Sequence, residues 1–175
     1  RVAGGGGVAP GGGRAWAAGL LAVHLAGQGR VAEDIAGARR SPWLRAAMSA
    51  GLRLPPPGVK VMRDAREPLR AGDQDIPAGA LVLVSSCELH RALARWAAPD
   101  DVRGGRFGPG APRVIQGAYL PFSGGDPGCP GAGSAWAEAL PVLTGVFARL
   151  RLSPGPGAAA TGLAPGACIC PDRPL

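Results

Sequence analysis

The chain has 175 residues, enough for one ordinary domain with a hydrophobic core but not comfortably for two. Its 30 glycines and 19 prolines approach the content of low-complexity chains, whereas 46% of the residues are hydrophobic, so we expect a core over only part of the length. The net charge of +7 comes almost entirely from arginine and is not accompanied by an RNA- or DNA-binding motif, so the composition does not favour a nucleic-acid binder.

The first 40 residues change from glycine-rich to helical sequence. Residues 1–13 hold too much glycine for a stable helix, and without an initiator Met the sequence is expected to be a fragment or a truncated gene model. From Ala15 to about Ala38 apolar residues recur at helical spacing, with a break at 27–29, which predicts one helix followed by a more polar one. The longest apolar stretch, 16–26, is interrupted by His24 and is too short to span a bilayer.

The middle of the chain alternates helical and strand-like segments. Ser41-Pro42 pairs an N-cap residue with proline at the first helical position, and it predicts a helix that ends near Leu54, before the prolines at 55–57. The remaining elements are predicted in this order: a short strand at 59–62, a turn at 73–77, a buried strand at 80–84, a helix at 88–96 and irregular chain at 97–117.

Four cysteines occur, and their spacing fits neither a disulfide framework nor a zinc site built from two CxxC pairs. Cys87 follows an apolar run and is expected to be a small buried hydrophobe. Cys168 and Cys170 lie in a Pro/Gly-rich tail, residues 153–175, whose composition predicts disorder. Cys129 is therefore the cysteine whose setting most suggests chemistry.

Cys129 lies in the loop PFSGGDPGCPG, residues 121–131, shortly before a long predicted helix at 135–152. Glycine and proline are what a tight turn needs, but a turn does not need a thiol. A thiol near the positive N-terminal end of a helix is favoured as the thiolate, which is the form that binds metals. Taken alone, the loop is either a turn before a helix or a metal-ligand loop.

The loop resembles the cysteine loop of the cytochrome P-450 family of haem-thiolate monooxygenases, whose signature is F-x-x-G-x-R-x-C-x-G. Phe122, Gly125, Cys129 and Gly131 occupy four of the defined positions. Other segments resemble the family in the right order along the chain: WAAGLLAVHLAGQGRVAEDIAGA, the helix before the prolines at 55–57, DIPAGALVLVSSCELHRALARW, APDDVRGGRF with Arg106 and Phe107, and the A-x-x-E pair Ala135 and Glu138.

The resemblance implies a fold that is mainly α with a small β-sheet, corresponding to the C-terminal part of the cytochrome P-450 fold and incomplete. Residues 15–152 would form the haem-domain fragment. Residues 1–14 would be a disordered or distorted end of the distal helix, and residues 153–175 a disordered tail. More than half of a full-length family member would be absent.

The resemblance also implies a cofactor, haem b, with the Cys129 thiolate as the axial ligand of its iron. The expected activity is that of a monooxygenase, which inserts one atom of O2 into a small apolar organic substrate. Phe122 would shield the sulfur, while Gly125 and Gly131 would let the backbone approach the haem. Arg63 would reach a haem propionate, with a plain surface arginine as the alternative reading of that residue.

Electrons would come from a reductase or a ferredoxin, at a basic surface to which Arg91, Arg95 and Arg103 contribute. No nucleic-acid partner is expected. His24 and His90 are expected to be packing or surface residues and not iron ligands. A membrane anchor, were the complete protein to have one, lies outside this sequence, and neither the substrate nor the compartment can be read from it.

Three positions depart from the family pattern. Ala50 stands at the glutamate of the E-x-x-R motif, so Arg53 and Arg106 would face each other with no carboxylate between them. Pro127 stands where the loop should carry a propionate-binding Arg or His, and Val8-Ala9 stands where the distal helix should carry an acid and an alcohol that deliver protons. The alternative function is therefore that of a degenerate, non-catalytic remnant that binds haem weakly or not at all.

Overall fold

The computed structural model describes residues 42–126, 128–150, 163–164 and 170–171. The predictions made for residues 1–38, including His24, and for Pro127 lie outside these ranges. The described elements are α1 (Pro42–Arg53), β1 (Lys60–Asp64), β2 (Leu69–Ala71), β3 (Gln74–Ile76), β4 (Leu81–Ser85), α2 (Ser86–Leu89), a 3-10 helix (Gly104–Phe107), α3 (Ala132–Phe147), β5 (Leu163–Ala164) and β6 (Cys170–Pro171).

Helix α1 begins at Pro42 and ends at Arg53, as predicted from the proline at its first position and the proline run that follows it. Its apolar face packs against α3, and the two helices together form the hydrophobic core of the described chain. The buried core residues are Leu44, Ala47, Met48, Leu52, Ala139 and Leu143, with Tyr119, Phe122, Trp136, Leu140 and Phe147 packed against them.

Helix α3 is displaced from its predicted position. It runs from Ala132 to Phe147, so it begins closer to the cysteine loop than the predicted start and ends before the predicted Leu152. Gly131 precedes it as the N-cap residue, and Pro141 lies inside it. The helical pattern at 135–152 identified the correct element, but it extends past the end of the helix, where Leu150 is exposed.

Strands β1 and β4 form an antiparallel ladder in which Met62 lies opposite Leu83 and Asp64 opposite Leu81. The prediction of a buried strand at 80–84 is correct for the strand and wrong for its burial, since Leu81 is 58% exposed and Leu83 56% exposed. The reason is that this sheet has two strands, and the described part of the chain places no layer over that face.

Two further predictions in this region are wrong. Residues 73–77, expected to be a turn, contain strand β3, which pairs with β2 in a hairpin that turns at Gly72, where φ is +61°. The expected helix at 88–96 is only the single turn α2. It begins earlier, at Ser86, because the Ser85 side chain caps it by accepting a hydrogen bond from the Glu88 N–H at 3.2 Å. Trp96 is buried beyond it and donates its indole N–H to the Leu89 carbonyl.

The described chain is therefore built from helices and small antiparallel sheets, each of two strands. The predicted single small sheet is divided into the β1–β4 ladder, the β2–β3 hairpin and the β5–β6 pair in the tail, where disorder was expected. The prediction for the rest of residues 153–175 lies outside the described ranges. No helix within those ranges has the length and apolar character that crossing a membrane requires.

Candidate functional site

The cysteine loop is closed by a backbone hydrogen bond between its two ends. The Cys129 N–H donates to the Phe122 carbonyl at 3.0 Å. Within the loop Ser123 has φ of +68° and Gly125 has φ of +80°. Glycine adopts this conformation without strain, and a side chain built at Gly125 would meet no other part of the described chain. The loop thus turns sharply and leaves one side open.

The Cys129 side chain is exposed, and it lies just before helix α3. The Cys129 carbonyl accepts a hydrogen bond from the Ala132 N–H at 3.2 Å, and the Gly131 carbonyl accepts one from Ala135 at 2.9 Å, so loop and helix are continuous. The helix runs away from the thiol over 16 residues, which places the positive end of its dipole near the sulfur.

Phe122 fixes the first end of the loop to the core. Its ring packs against that of Trp136 in α3, with the centroids 6.1 Å apart and the planes tilted by 60°. The guanidinium of Arg45 in turn covers the Trp136 ring at 4.3 Å from its centroid. The Phe122 carbonyl, which accepts the Cys129 N–H, is therefore held by the same packing that joins α1 and α3.

Arg63 reaches the cysteine loop from strand β1. Its guanidinium donates to the Ser123 hydroxyl at 3.0 Å and to the Gly124 carbonyl at 3.4 Å, as well as to the Met62 carbonyl at 2.9 Å. The tertiary structure thus brings Arg63 together with Phe122, Gly125, Cys129 and Gly131, the other residues of the predicted site. Arg63 is exposed, so a solvent-accessible cation is bound to the loop.

Arg53 is buried, at 1% exposure, without a carboxylate partner in the described ranges. Its guanidinium instead donates to three backbone carbonyls, those of His90 (2.8 Å), Pro99 (2.6 Å) and Asp101 (2.6 Å). Burial, followed by the positive charges of Arg106 and Arg91, lowers the pKa of Arg53 to about 10. The expected pair of arginines without a carboxylate is therefore present, and backbone oxygens take over most of the hydrogen bonding.

Arg106 binds the same segment as Arg53. It donates to the Ala98 carbonyl at 2.6 Å, next in the chain to the carbonyl of Pro99 that Arg53 holds. The Nε atoms of both arginines are buried and have no hydrogen-bond partner among the described residues. The two guanidinium groups thus hold residues 98–101 in place. The two buried Nε atoms without hydrogen bonds reduce the stability that is gained.

His90 is fully buried and both of its ring nitrogens are used inside the protein, as expected of a packing residue and not of an iron ligand. Nε2 accepts the Leu120 N–H at 2.8 Å, and Nδ1 lies 3.1 Å from the Arg53 carbonyl. Burial lowers the pKa of His90 to about 4, with Arg53 and Arg91 acting in the same direction. Its contact with the segment leading into the cysteine loop was not anticipated from the sequence, which offers no local signal for a contact 30 residues away.

Cys87, expected to be buried, is only half-buried on the single turn of α2. Of the arginines assigned to a basic surface, Arg91 pairs with Asp100 at 3.1 Å and Arg103 pairs with Asp101. Arg95 is exposed. The positive charge of that surface is therefore partly balanced by neighbouring carboxylates.

An open depression of about 420 Å³ lies along the β2–β3 hairpin, away from the cysteine loop. Its walls include the Arg70–Asp75 ion pair, whose atoms are 3.7 Å apart, together with two prolines, Pro68 and Pro77. Cys129 is not among the residues that line it. The thiol therefore faces the surface of the described chain and not this depression.

The donor set at Cys129 fits one kind of metal centre. No group of three or more His, Cys, Asp or Glu side chains within the described ranges could hold a metal ion, so these ranges offer an ion at Cys129 fewer than three such ligands. Zinc sites need three or four protein ligands. Iron in a haem needs only an axial one, because the porphyrin supplies the other donors, and a thiolate is an established axial ligand. An exposed thiol in a loop that also binds an arginine side chain is consistent with a haem.

Comparisons with known proteins point to one family. A family model described as "Cytochrome P450" matches residues 31–161. The chain is 31% identical over 148 residues to "Cytochrome P450 714C1" of rice (Oryza sativa subsp. japonica), covering 81% of the chain and 29% of the relative. It is 34% identical over 119 residues to "Cyclooctatin synthase" of Streptomyces melanosporofaciens, covering 67% of the chain and 26% of the relative.

Among solved structures, the chain is similar to CYP175A1 from Thermus thermophilus, with a TM-score of 0.75 and 25% sequence identity. That likeness covers 93% of this chain and 40% of the other. A 6-coordinated cytochrome P450 from a second strain of Thermus thermophilus superimposes with a TM-score of 0.74 at the same identity. The chain spans less than a third of the length of the two curated relatives above and less than half of these two structures.

Proposed function

The chain belongs to the cytochrome P450 family, and we propose that it is the thiolate-bearing part of a haem-dependent monooxygenase in which Cys129 is the axial ligand of the iron. The observation that carries the proposal is the exposed Cys129 thiol, held in a closed loop at the N-terminal end of α3 with Arg63 bound to the same loop. The chemistry that a haem would supply there is the activation of O2, so that one oxygen atom enters an organic substrate.

Each residue of the proposed site has a task that its surroundings support. Cys129 binds the iron as the thiolate, which the positive end of the α3 dipole favours. Phe122, packed on Trp136, keeps the loop on the core, and its ring would shield the sulfur. Gly125 lacks a side chain on the open side of the loop, and Gly131 lets the chain enter α3 without a side chain next to the thiol.

Arg63 is proposed to neutralise a haem propionate. It is the cation that the described structure ties to the cysteine loop, and Arg–carboxylate pairs are well matched in shape and charge. With Pro127 in place of the loop's own Arg or His, propionate binding would depend more strongly on Arg63 than the family pattern implies.

For the redox partner and the substrate we propose only the class of molecule. An electron-donating reductase or ferredoxin would bind a surface that includes Arg95, whose charge is less closely balanced than those of Arg91 and Arg103. A small apolar organic molecule would be the substrate. The rest of the haem cavity and the substrate pocket would be formed by sequence beyond these 175 residues, since the relatives are more than three times longer than the part that the chain matches.

A second candidate function is that of a degenerate remnant without catalysis. It is favoured by the buried Nε atoms of Arg53 and Arg106, which lack a partner in the described ranges where the family pattern has a glutamate. The three carbonyl contacts of Arg53 offset part of the energetic cost of the missing glutamate. They weaken the case for a remnant that does not fold, but they do not remove it.

One experiment separates the two candidates. The chain is expressed with a haem precursor, reduced under carbon monoxide and examined for the Soret shift that is characteristic of thiolate ligation. We expect the shift in the wild type and in a Cys87→Ser control, and its loss in Cys129→Ser. Absence of haem uptake by the wild type would favour the remnant, while a shift that survives Cys129→Ser would show that another group is the ligand.

A further inference from the structure

The His90 ring joins two backbone groups that are distant in sequence. Its Nε2 atom accepts the Leu120 N–H at 2.8 Å, and an acceptor nitrogen carries no hydrogen. The neutral ring must then carry its hydrogen on Nδ1, which lies 3.1 Å from the Arg53 carbonyl and donates to it. The hydrogen-bond pattern thus specifies one tautomer.

This tautomer is held in place from several sides. The Arg53 guanidinium donates to the His90 carbonyl at 2.8 Å, so each of these two residues binds the other's backbone. The Tyr119 ring lies against the imidazole with the centroids 5.3 Å apart, and its hydroxyl donates to the Ser49 carbonyl at 2.8 Å. The His90 ring is therefore a rigid anchor between the end of α1 and the segment that enters the cysteine loop.

The anchor is connected to the loop through Leu120. This residue immediately precedes the loop, and its side chain occupies the space beside Gly124, where an added Cβ would lie 2.7 Å from the Leu120 Cδ2 atom. The Gly124 carbonyl and the Ser123 hydroxyl in turn accept the hydrogen bonds from Arg63. A fixed Leu120 amide therefore fixes the surface on which Arg63 meets the loop.

We propose that His90, in its Nδ1–H tautomer, is a positioning residue that holds the base of the Cys129 loop through the Leu120 amide and so sets the direction of the thiol. The inference rests on the proposed function in that the thiol is taken to be the axial ligand. It goes beyond that function because it gives a role to a side chain that contacts neither the haem nor the substrate.

Two near-isosteric substitutions separate the two hydrogen bonds of the ring. His90→Gln places an amide oxygen near the position of Nε2 and keeps an acceptor for the Leu120 N–H. His90→Asn places its amide near the position of Nδ1 and keeps only a donor for the Arg53 carbonyl. Leu93→Gln, at a residue that is 81% exposed on the neighbouring turn, is the matched control.

The first readout does not depend on haem. Amide hydrogen exchange of the Leu120 N–H, followed by NMR or peptide mass spectrometry, is expected to accelerate about tenfold in His90→Asn, which corresponds to the loss of one hydrogen bond. In His90→Gln and Leu93→Gln it is expected to stay within about threefold of the wild type, because the acceptor is retained. Equal rates in His90→Gln and His90→Asn would overturn the proposal.

The second readout is the thiolate-type Soret shift in the same proteins, which should weaken in His90→Asn and be restored by His90→Gln. A wild type without the shift but with the exchange pattern above would refute the proposed function and still support the anchoring of the loop. Should both variants fail to fold, the wild-type ring nitrogens decide the matter by NMR: a hydrogen on Nδ1 supports the proposal, and a hydrogen on Nε2 overturns it.

Discussion

Arg63 and Ser123, sixty residues apart in the chain, are joined by a hydrogen bond of 3.0 Å from the guanidinium to the hydroxyl. This contact attaches strand β1 to the cysteine loop, and the arginine remains exposed. Under the proposed function this guanidinium would also meet a haem propionate.

The first prediction concerns that arginine. Arg63→Gln should weaken haem binding about tenfold, the effect of losing one charge-assisted contact with a carboxylate, while leaving the fold unchanged. A titration of the Soret absorbance measures the affinity. Arg66→Gln, at an exposed arginine near the end of β1, serves as the control. Equal affinities of the wild type and Arg63→Gln would remove Arg63 from the site.

The second prediction concerns the crowding beside Leu120. Gly124→Ala should loosen the loop and weaken haem binding, because its Cβ would lie 2.7 Å from Leu120, and the added substitution Leu120→Ala should relieve part of the loss. Gly125→Ala should cost about 1–3 kcal/mol for a different reason, its φ of +80°, and Leu120→Ala should not relieve it. Denaturant unfolding and the haem titration give both double-mutant cycles.

A result in which Leu120→Ala rescues both glycine variants equally, or neither of them, would contradict the steric explanation. Leu120→Ala alone is measured in parallel, so that the packing it removes is counted separately. The comparison is informative because the two neighbouring positions require glycine for different reasons, Gly124 for lack of space and Gly125 for its backbone conformation.

The third prediction concerns the missing carboxylate. Ala50 lies one helical turn before Arg53, so a glutamate there would face it at a spacing that allows ion pairing. Ala50→Glu should raise the free energy of unfolding by about 1 kcal/mol. The carboxylate would give a partner to two unpartnered Nε atoms, and this gain should exceed the cost of placing a larger side chain in a buried site. Denaturant unfolding measures the change.

Two controls define this gain. Ala94→Glu adds the same charge at an exposed position and should leave stability within about 0.5 kcal/mol. In an Arg106→Gln background the gain from Ala50→Glu should shrink, because one of the two cations is gone. A stability that falls in Ala50→Glu would show that the packing around Ala50 leaves no room for the carboxylate.

The fourth prediction concerns pH and His90. Its pKa is about 4 in the folded chain and near 6.5 when unfolded, so the unfolded state binds the proton first as pH falls. The contribution of His90 to stability is therefore complete above pH 6.5, decreases between pH 6.5 and about 4, and amounts to about 3 kcal/mol in total. Arg53 and Arg91, which face the ring as cations, act against its protonation.

Because other groups titrate in the same pH range, the contribution of His90 is measured as the difference in unfolding free energy between two proteins. The free energy of unfolding of the wild type and of His90→Gln is followed from about pH 7.5 to about pH 4, and the wild type should lose more stability by roughly the stated amount. Parallel curves for the two proteins would mean that the ring is protonated in the folded state or exposed to water.

Local signals in the sequence determined a definite part of this protein. Proline at position 42 and the prolines at 55–57 set the two ends of α1, because proline is favoured at the first helical position and destabilises a helix interior. The spacing of Phe122, Gly125, Cys129 and Gly131 identified the family, which the comparisons confirm. These signals lie within a few residues of the structure that they specify.

The tertiary structure decided what depends on contacts between distant segments. The exposure of Leu81 and Leu83 follows from how many layers cover a sheet, which an apolar run cannot reveal. Arg53 finds three backbone carbonyls in place of a carboxylate, and His90 finds the Leu120 amide, because folding brings residues 90, 98–101 and 120 to the end of α1. Burial makes such polar contacts necessary, and only the arrangement of the whole chain determines which partner satisfies each group.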